Sequence, residues 1–325
     1  MHIFFKRKDW VMAQGEDRPL YPPFVWFLVG ATATGKSEVA FLLAQKLGAA
    51  ILSLDSMQVY RGLDIGTAKP SAEQRAQIPH GGIDLVDWWE SWSVGHFVTH
   101  ASWFLEEQAK QGRGVIAVGG TGLYFRALTR GLCGAPAPDP QLRRMLEALP
   151  EEERVRRLWI EDPKAAQQID LANPRRVLRA LEVKLQTGIS LLDWQKTTTK
   201  PRIQQFRAIW LDRRREELKE RISTRVQRLL AEGWIEEVQG LVKEGGYEAV
   251  ENCPAIGYRE IARWLKEGGT LSRLQEAIAR RTWQYARRQL TWFRQEVNVG
   301  YRMMERGEEP AKLAESLRLE LLATG

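Results

Sequence analysis

Cysteine is scarce in this chain: two in 325 residues, Cys133 and Cys253. That excludes a disulfide framework and a paired CxxC zinc knuckle, and it makes a reducing cytoplasm the expected compartment. Histidine is nearly as rare, with four residues. One pair, His96 and His100, has i,i+4 spacing on an expected helix, but no further ligand set accompanies it. It reads as ordinary helix surface rather than a metal site. No apolar run approaches the roughly 20 residues that a membrane-crossing helix needs, so no membrane partner is expected. The opening stretch MHIFFKRKDWVMAQGEDRPLYPPF lacks both a continuous apolar core and a small-residue cleavage site. Residues 1–23 therefore read as a flexible extension, with Met12 as an alternative start. Internal repeats and low-complexity tracts are also missing.

What the chain does have is positive charge and tryptophan. The formal net charge is +7, with 48 Lys and Arg against 41 Asp and Glu, and there are thirteen tryptophans. A basic balance favours a polyanionic partner. The arginines cluster: Arg175, Arg176 and Arg179; then Arg213 to Arg215, Arg221, Arg225 and Arg228; then Arg280, Arg281, Arg287, Arg288 and Arg294. Arginine mixed with aromatics suits single-stranded bases and phosphates. The competing reading is a set of solvated helix faces paired to nearby glutamates, as in REELKER.

Residues 30–37 read GATATGKS, which fits the phosphate-cradling pattern G-x-x-x-x-G-K-[ST]. The context supports the match. FVWFLVG (24–30) reads as a buried strand, KSEVAFLLAQKLG as the following helix, and AAILSL (49–54) as a second strand. Further strands are expected at 83–86, 114–118 and 206–211, with a helix at about 94–111. This alternation predicts an α/β fold, a P-loop NTPase-like parallel sheet with helices on both faces. GAPAPDP at 134–140 marks a linker, and the strand-free stretch to about 200 predicts an inserted all-helical domain. The expected division is therefore a core of 24–135 and 201–325, interrupted by a helical insertion at 136–200. After Asp212, helices are expected at 214–232, 234–244, 257–267, 271–296 and 310–322.

Several residues carry chemistry. The loop Gly30, Ala31, Thr32, Ala33, Thr34 and Gly35 would cradle phosphate, with backbone N–H groups from 33 to 37 and the helix N-terminus supplying positive potential, Lys36 would reach its oxygens, and Ser37 would ligate Mg²⁺. Asp55 ends the second strand, where open parallel sheets bind ligands; a carboxylate there can act as a general base or help hold a metal. The strand at 114–118 ends in Gly-Gly-Thr rather than in an acidic residue, which argues against hydrolysis as the main activity. Thr121 and Tyr124 fall where a substrate would be contacted. At this level the phosphorylated ligand could have its phosphoryl group transferred, as in a small-molecule or nucleoside kinase, hydrolysed away, or merely held, as in an RNA-binding protein with a relic P-loop.

Four segments occur in order: GATATGKS (30–37), LDSMQVYRGLDIGTAKP (54–70), VGGTGLY (118–124) and AIGYRE (255–260), with NPRRVLRALEV (173–183) before the last. The combination closely resembles the bacterial tRNA dimethylallyltransferases, the tRNA isopentenyltransferase family, from about Phe24 to about Arg294. The resemblance implies Mg²⁺-assisted transfer of the dimethylallyl group from dimethylallyl diphosphate to N6 of adenine 37 in tRNAs reading codons that begin with U. It implies Asp55 as general base, Arg225 at the diphosphate and Thr121 near the reacting base. It implies tRNA contacts by Asp55, Ser56, Met57, Gln58, Thr121, Arg143, Arg175, Arg176, Val177, Leu178, Arg179, Pro254, Ala255, Ile256, Gly257, Tyr258 and Arg259. The insertion would grip the anticodon loop, and a monomer would suffice. The chain departs from the family pattern at Ala31, where proline is common, and in the N-terminal extension. It lacks the C-terminal zinc-finger extension of eukaryotic relatives.

Overall fold

The computed structural model describes residues 21–197 and 199–323, in two compact units: the described residues up to 125 with those from 205 onward, and those between 126 and 204. The expected extension at 1–23 falls almost wholly outside the described residues.

The first unit opens with β1 (Val25–Val29), α1 (Lys36–Leu47) and β2 (Ala50–Leu54). Next come β3 (Tyr60–Arg61), α2 (Ala72–Gln77), β4 (His80–Gly81), β5 (Val86–Asp87), α3 (Val94–Lys110), β6 (Val115–Gly119) and α4 (Gly122–Arg130). β1, β2 and β6 are buried along their whole length, as expected of parallel strands covered on both faces. Trp26 and Leu28 of β1 pack into a cluster with Val39 and Leu43 of α1. Phe27, between them in sequence, meets Phe125 and Phe206 edge to face, with ring centroids 5.0 and 5.4 Å away. The period-two alternation of a strand thus feeds two separate cores.

The second unit holds α5 (Pro140–Glu147), α6 (Glu151–Glu161), α7 (Pro163–Gln168), α8 (Pro174–Thr187) and α9 (Leu191–Trp194). Leu146, Leu158, Ala165, Val177, Leu178 and Leu181 form its core. Asn173 caps α8 by accepting the Arg176 N–H, and Pro174 occupies the first turn, where its missing N–H costs nothing. The insertion is longer than the expected 136–200. Its two connecting segments run side by side: Leu128 O accepts the N–H groups of Arg202 and Ile203, both at 2.9 Å, and Thr199 N donates to Leu132 O at 2.8 Å. Chain expected to belong to the core, at 126–135 and 201–204, is therefore tied into the helical unit.

Returning to the first unit, the chain forms β7 (Arg207–Asp212), α10 (Arg215–Ala231), α11 (Trp234–Glu251), α12 (Tyr258–Glu267), α13 (Leu271–Arg294), β8 (Gly300–Met303) and α14 (Pro310–Ala323). The six-stranded sheet has the order β4-β2-β6-β1-β7-β8, and every pairing is parallel. β8 is a strand that sequence reasoning missed, because GYRM alternates weakly and is largely exposed at the sheet edge. The strand expected at 83–86 is displaced to Val86–Asp87, where it pairs with β3 outside the main sheet. α11 breaks at Gly246 (φ 79°), close to where the helix was expected to end.

The long segment 54–70 is a folded loop clamped from two sides. Lys69 donates to Tyr60 O, Asp64 and Asp84 at 2.6, 2.6 and 2.5 Å, with its side chain almost fully buried. Glu237 of α11 accepts the N–H groups of Asp64, Ile65 and Gly66 at 3.0, 2.7 and 3.3 Å and the Tyr258 hydroxyl at 2.6 Å. Gly66 lies flat against Trp234: a Cβ there would sit 2.2 Å from the Trp234 Nε1 and 2.6 Å from a Tyr258 ring carbon. Gly66→Ala is therefore expected to cost about 1–3 kcal/mol by overpacking. Urea unfolding checks this as a lowered midpoint with an unchanged slope.

Candidate functional site

The site lies at the carboxyl ends of β1, β2 and β6, as parallel sheets dictate. A phosphate cradle must turn its N–H groups inward and dispose of its carbonyls elsewhere. Here the carbonyls are tied back individually. Ala31 O accepts from the Thr34 hydroxyl at 3.0 Å and from Lys36 Nζ at 2.9 Å. Ala33 O accepts from Arg221 Nε and Thr34 O from Arg213 Nε, both at 2.8 Å. Arg213 is buried, ion-paired with Glu217, and also donates to Glu305 O at 3.4 Å. Read from sequence as part of an RNA-facing arginine cluster, Arg213 is instead a scaffold for the loop.

Lys36 has three N–H donors, one of them committed to Ala31 O. Burial pushes its pKa down to about 8; the positive Arg225 adds to this effect and Asp55 opposes it. Arg225, on α10, is half-buried and is itself lowered by burial, with Asp55 again the favourable counter-charge. Lys36, Arg225 and Asp55 thus share one electrostatic neighbourhood. Ser37, at the start of α1, is exposed.

Asp55 follows β2 and is half-buried. Its Oδ1 accepts the Met57 N–H at 2.8 Å, which fixes the carboxylate in a local turn. Thr121 meets it from the end of β6: Thr121 N donates to Leu54 O at 3.1 Å, and Ser56 N donates to Thr121 Oγ1 at 3.3 Å. Asp55 and Thr121, 66 positions apart in the numbering, are brought together by the β2–β6 pairing. Tyr285 of α13 completes the wall. Burial pushes its phenol up to about 12, Asp55 reinforces that, and the Thr121, Arg288 and Gln289 side chains oppose it.

Other expected contacts fall elsewhere. Gln58 is internal to the clamped loop, accepting from Ser53 Oγ at 2.7 Å and donating to Ala68 O at 3.2 Å. Tyr124 is buried, stacked on Phe97 at 3.7 Å, and its hydroxyl accepts from Trp92 Nε1 at 2.9 Å; it is core rather than a substrate contact. Tyr258 is fully buried on Glu237, and Ala255 is also buried, so neither side chain can reach an RNA. Pro254 is exposed, Ile256 packs on the α10–α13 core, and Gly257 is buried against Trp234. Arg259 Nε donates to Glu251 O at 2.6 Å.

In the insertion, Val177 and Leu178 belong to the core, which also removes their side chains from contact. Arg143 and Arg179 converge on the buried Glu182 at 3.3 and 3.5 Å. Arg179 also donates to Pro136 O at 2.6 Å. Burial raises the Glu182 pKa and the two guanidinium groups hold it down. Arg175 and Arg176 are exposed on the first turn of α8.

The family model described as IPP transferase matches residues 58–296, and a second, described as Isopentenyl transferase, matches 23–78. The chain belongs to the IPP transferase family. It is 47% identical over 293 residues to a tRNA dimethylallyltransferase of Methylacidiphilum infernorum, covering 90% of this chain and 89% of that one. A Geobacter metallireducens protein of the same name is 42% identical over 279 residues, covering 83% and 89%. Among solved structures, a tRNA isopentenylpyrophosphate transferase of Bacillus halodurans superposes with a TM-score of 0.67 at 35% identity, covering 93% of this chain and 96% of that one. A eukaryotic dimethylallyltransferase described as acting on tRNA superposes with a TM-score of 0.69 at 29% identity, covering 83% and 69%.

Sequence reasoning about this IPP transferase missed Arg213, Arg221, Tyr285 and Gln289 as neighbours of the site. Only the spacing Tyr285–Gln289, two polar groups one helical turn apart on an otherwise apolar face, offered a signal. The lowered Lys36 pKa has a measurable consequence. Its charge is lost as pH rises through about 8, so affinity for inorganic pyrophosphate is expected to fall above that pH even as the ligand becomes more negative. Calorimetric titrations from neutral to alkaline pH check this. Lys36→Arg, permanently charged, is expected to flatten the fall.

Proposed function

We propose that this chain transfers the dimethylallyl group from dimethylallyl diphosphate to N6 of adenine 37, in the anticodon loop of tRNAs reading codons that begin with U. The observation that carries this reading is the placement of a carboxylate, Asp55, beside a phosphate cradle whose charge comes from Lys36 and Arg225. A kinase needs the cradle and a base; the family membership selects prenyl transfer between the two.

Adenine N6 is a weak nucleophile because its lone pair is delocalised into the ring. In the proposed reaction that lone pair forms a bond to the allylic carbon, the carbon–oxygen bond to diphosphate breaks, and the proton leaves N6 for Asp55. Asp55 accepts the proton at its carboxylate, one oxygen of which is held by Met57 N. Lys36, Arg225 and the N–H groups of residues 33–37 hold the departing diphosphate and stabilise charge that builds on its oxygens. Thr121 orients the acceptor base beside Asp55. The base must leave its stack to reach this position.

Mg²⁺ fits the donor set. Among the described residues, no group of three or more His, Cys, Asp or Glu could hold an ion unaided, but Mg²⁺ commonly takes one or two protein oxygens and completes its shell with phosphate and water. The exposed Ser37 hydroxyl would be that protein ligand, and the ion would supply charge neutralisation to the diphosphate. Arg175 and Arg176 are the tRNA contacts this reading favours, with Arg143 and Arg179 set by Glu182. A monomer in the cytoplasm meets every requirement of the chemistry. No helix among the described residues is long and apolar enough to cross a membrane.

Incubation with Mg²⁺, labelled dimethylallyl diphosphate and unmodified tRNA carrying A36-A37-A38 is expected to place label in the tRNA. ATP-dependent phosphorylation of a small acceptor without such incorporation would overturn the proposal. Asp55→Ala is expected to slow transfer on the order of 10²–10⁴-fold while tRNA binding persists in a filter assay; loss of binding instead would make Asp55 a recognition residue. Arg176→Ala is expected to weaken tRNA binding and to reduce the slope of log affinity against log salt by about 1.

A further inference from the structure

Gln289 lies on α13, is 6% exposed, and uses both ends of its amide on the site. Its Oε1 accepts the N–H of Thr32 at 2.9 Å, and its Nε2 donates to Gly120 O at 3.0 Å. The first contact is to the phosphate loop. The second is to the residue before Thr121, whose own N and Oγ1 reach Leu54 O and Ser56 N on either side of Asp55. Gly120 is required by this approach, because a Cβ there would lie 2.0 Å from Gln289 Nε2. One turn earlier on the same helix, Tyr285 has the Thr121 and Gln289 side chains as polar neighbours.

Two features mark this as more than packing. Thr32 N is one of the cradle's own N–H groups, yet it is turned onto a side chain rather than left for a ligand. And Gln289 is a primary amide, which can accept at one end and donate at the other at any pH; an ionised carboxylate or a hydrocarbon of the same shape cannot do both. The two loops it joins belong to the tips of different strands, β1 and β6, and beyond those tips they share no backbone pairing.

We infer that Gln289 is a positioning residue that holds the diphosphate loop and the Thr121 loop in register, so that the allylic carbon and the acceptor nitrogen meet at reacting distance. This rests on the prenyl-transfer reading of the site. Gln289 touches neither substrate; it acts through Thr32 and Gly120. Misplacement of reacting groups by about 1 Å can cost on the order of 10²-fold in rate, so loss of the bridge acts on turnover more than on binding.

The test compares the wild-type chain with Gln289→Glu and Gln289→Met in the labelled-transfer assay, with pyrophosphate and tRNA affinities measured separately. Gln289→Glu keeps the acceptor for Thr32 N and, when ionised, loses the donor to Gly120 O; Gln289→Met loses both at every pH. The expected result is a kcat lowered roughly 10–100-fold in Gln289→Met, a smaller loss in Gln289→Glu, and changes within about threefold in tRNA affinity. Exchange of the Thr32 amide, followed by mass spectrometry of the loop peptide, is expected to quicken in Gln289→Met and to stay slow in Gln289→Glu. If both variants fold and keep wild-type kcat, the inference fails. It also fails if activity falls only in proportion to the unfolded fraction seen by circular dichroism. Absence of transfer by the wild-type chain would instead overturn the function on which it rests, and the amide-exchange comparison still decides whether the bridge exists.

Discussion

Everything at the site depends on where the phosphate loop sends its carbonyl oxygens. A backbone segment that aims consecutive N–H groups at one point forces its carbonyls outward, and each needs a donor. Three downstream segments of this chain supply those donors and a matching acceptor: the start of the chain after β7 through Arg213, α10 through Arg221, and α13 through Gln289. The cradle is therefore a property of the whole first unit, although its eight-residue motif is local. Helices α10 and α13 are there as much to back the loop as to fill a core.

The same division explains the arginines. Arg213 is internal, matched to Glu217 and two carbonyl groups. Arg143 and Arg179 share Glu182, and Arg281 pairs with Glu260. A basic chain thus spends many of its cations on its own architecture. The excess that remains on exposed positions such as Arg175 and Arg176 is what a polyanion would meet.

Legibility from sequence followed locality. The strand–loop–helix–strand beginning at Val25 could be read directly, because apolar runs, a glycine-rich loop and helical periodicity are short-range signals. The helical insertion was legible from its missing strands, though its boundaries were not, since the zipping of Leu128 and Leu132 to residues 199–203 is a tertiary event. Asp55 and Thr121 were identified at strand ends. The motif around 54–70 was recognised as a unit, but its residues could not be sorted into wall and scaffold: Gln58 and Lys69 look as reactive on paper as Asp55, and only burial against partners separates them. The same holds for Tyr258 and Val177, whose immersion in a core has no sequence mark that distinguishes it from a binding role. Arg213, Arg221 and Gln289 escaped because their partners lie 179, 188 and 257 positions away.

Those separations also bear on how the molecule is made. A chain emerging from the ribosome presents its N-terminal segments first, so GATATGKS is exposed to the cell's phosphorylated metabolites long before Arg213 or Gln289 has been synthesised. During that interval the loop has only its internal ties, from Thr34 and Lys36 to Ala31 O, and lacks its partners Arg213, Arg221 and Gln289. The insertion lengthens the wait by interposing a separately packed unit between the loop and its supports. Full backing of the loop is thus deferred until α13 has been translated and docked, and an interrupted translation product carries the motif without the supports that α10 and α13 give it.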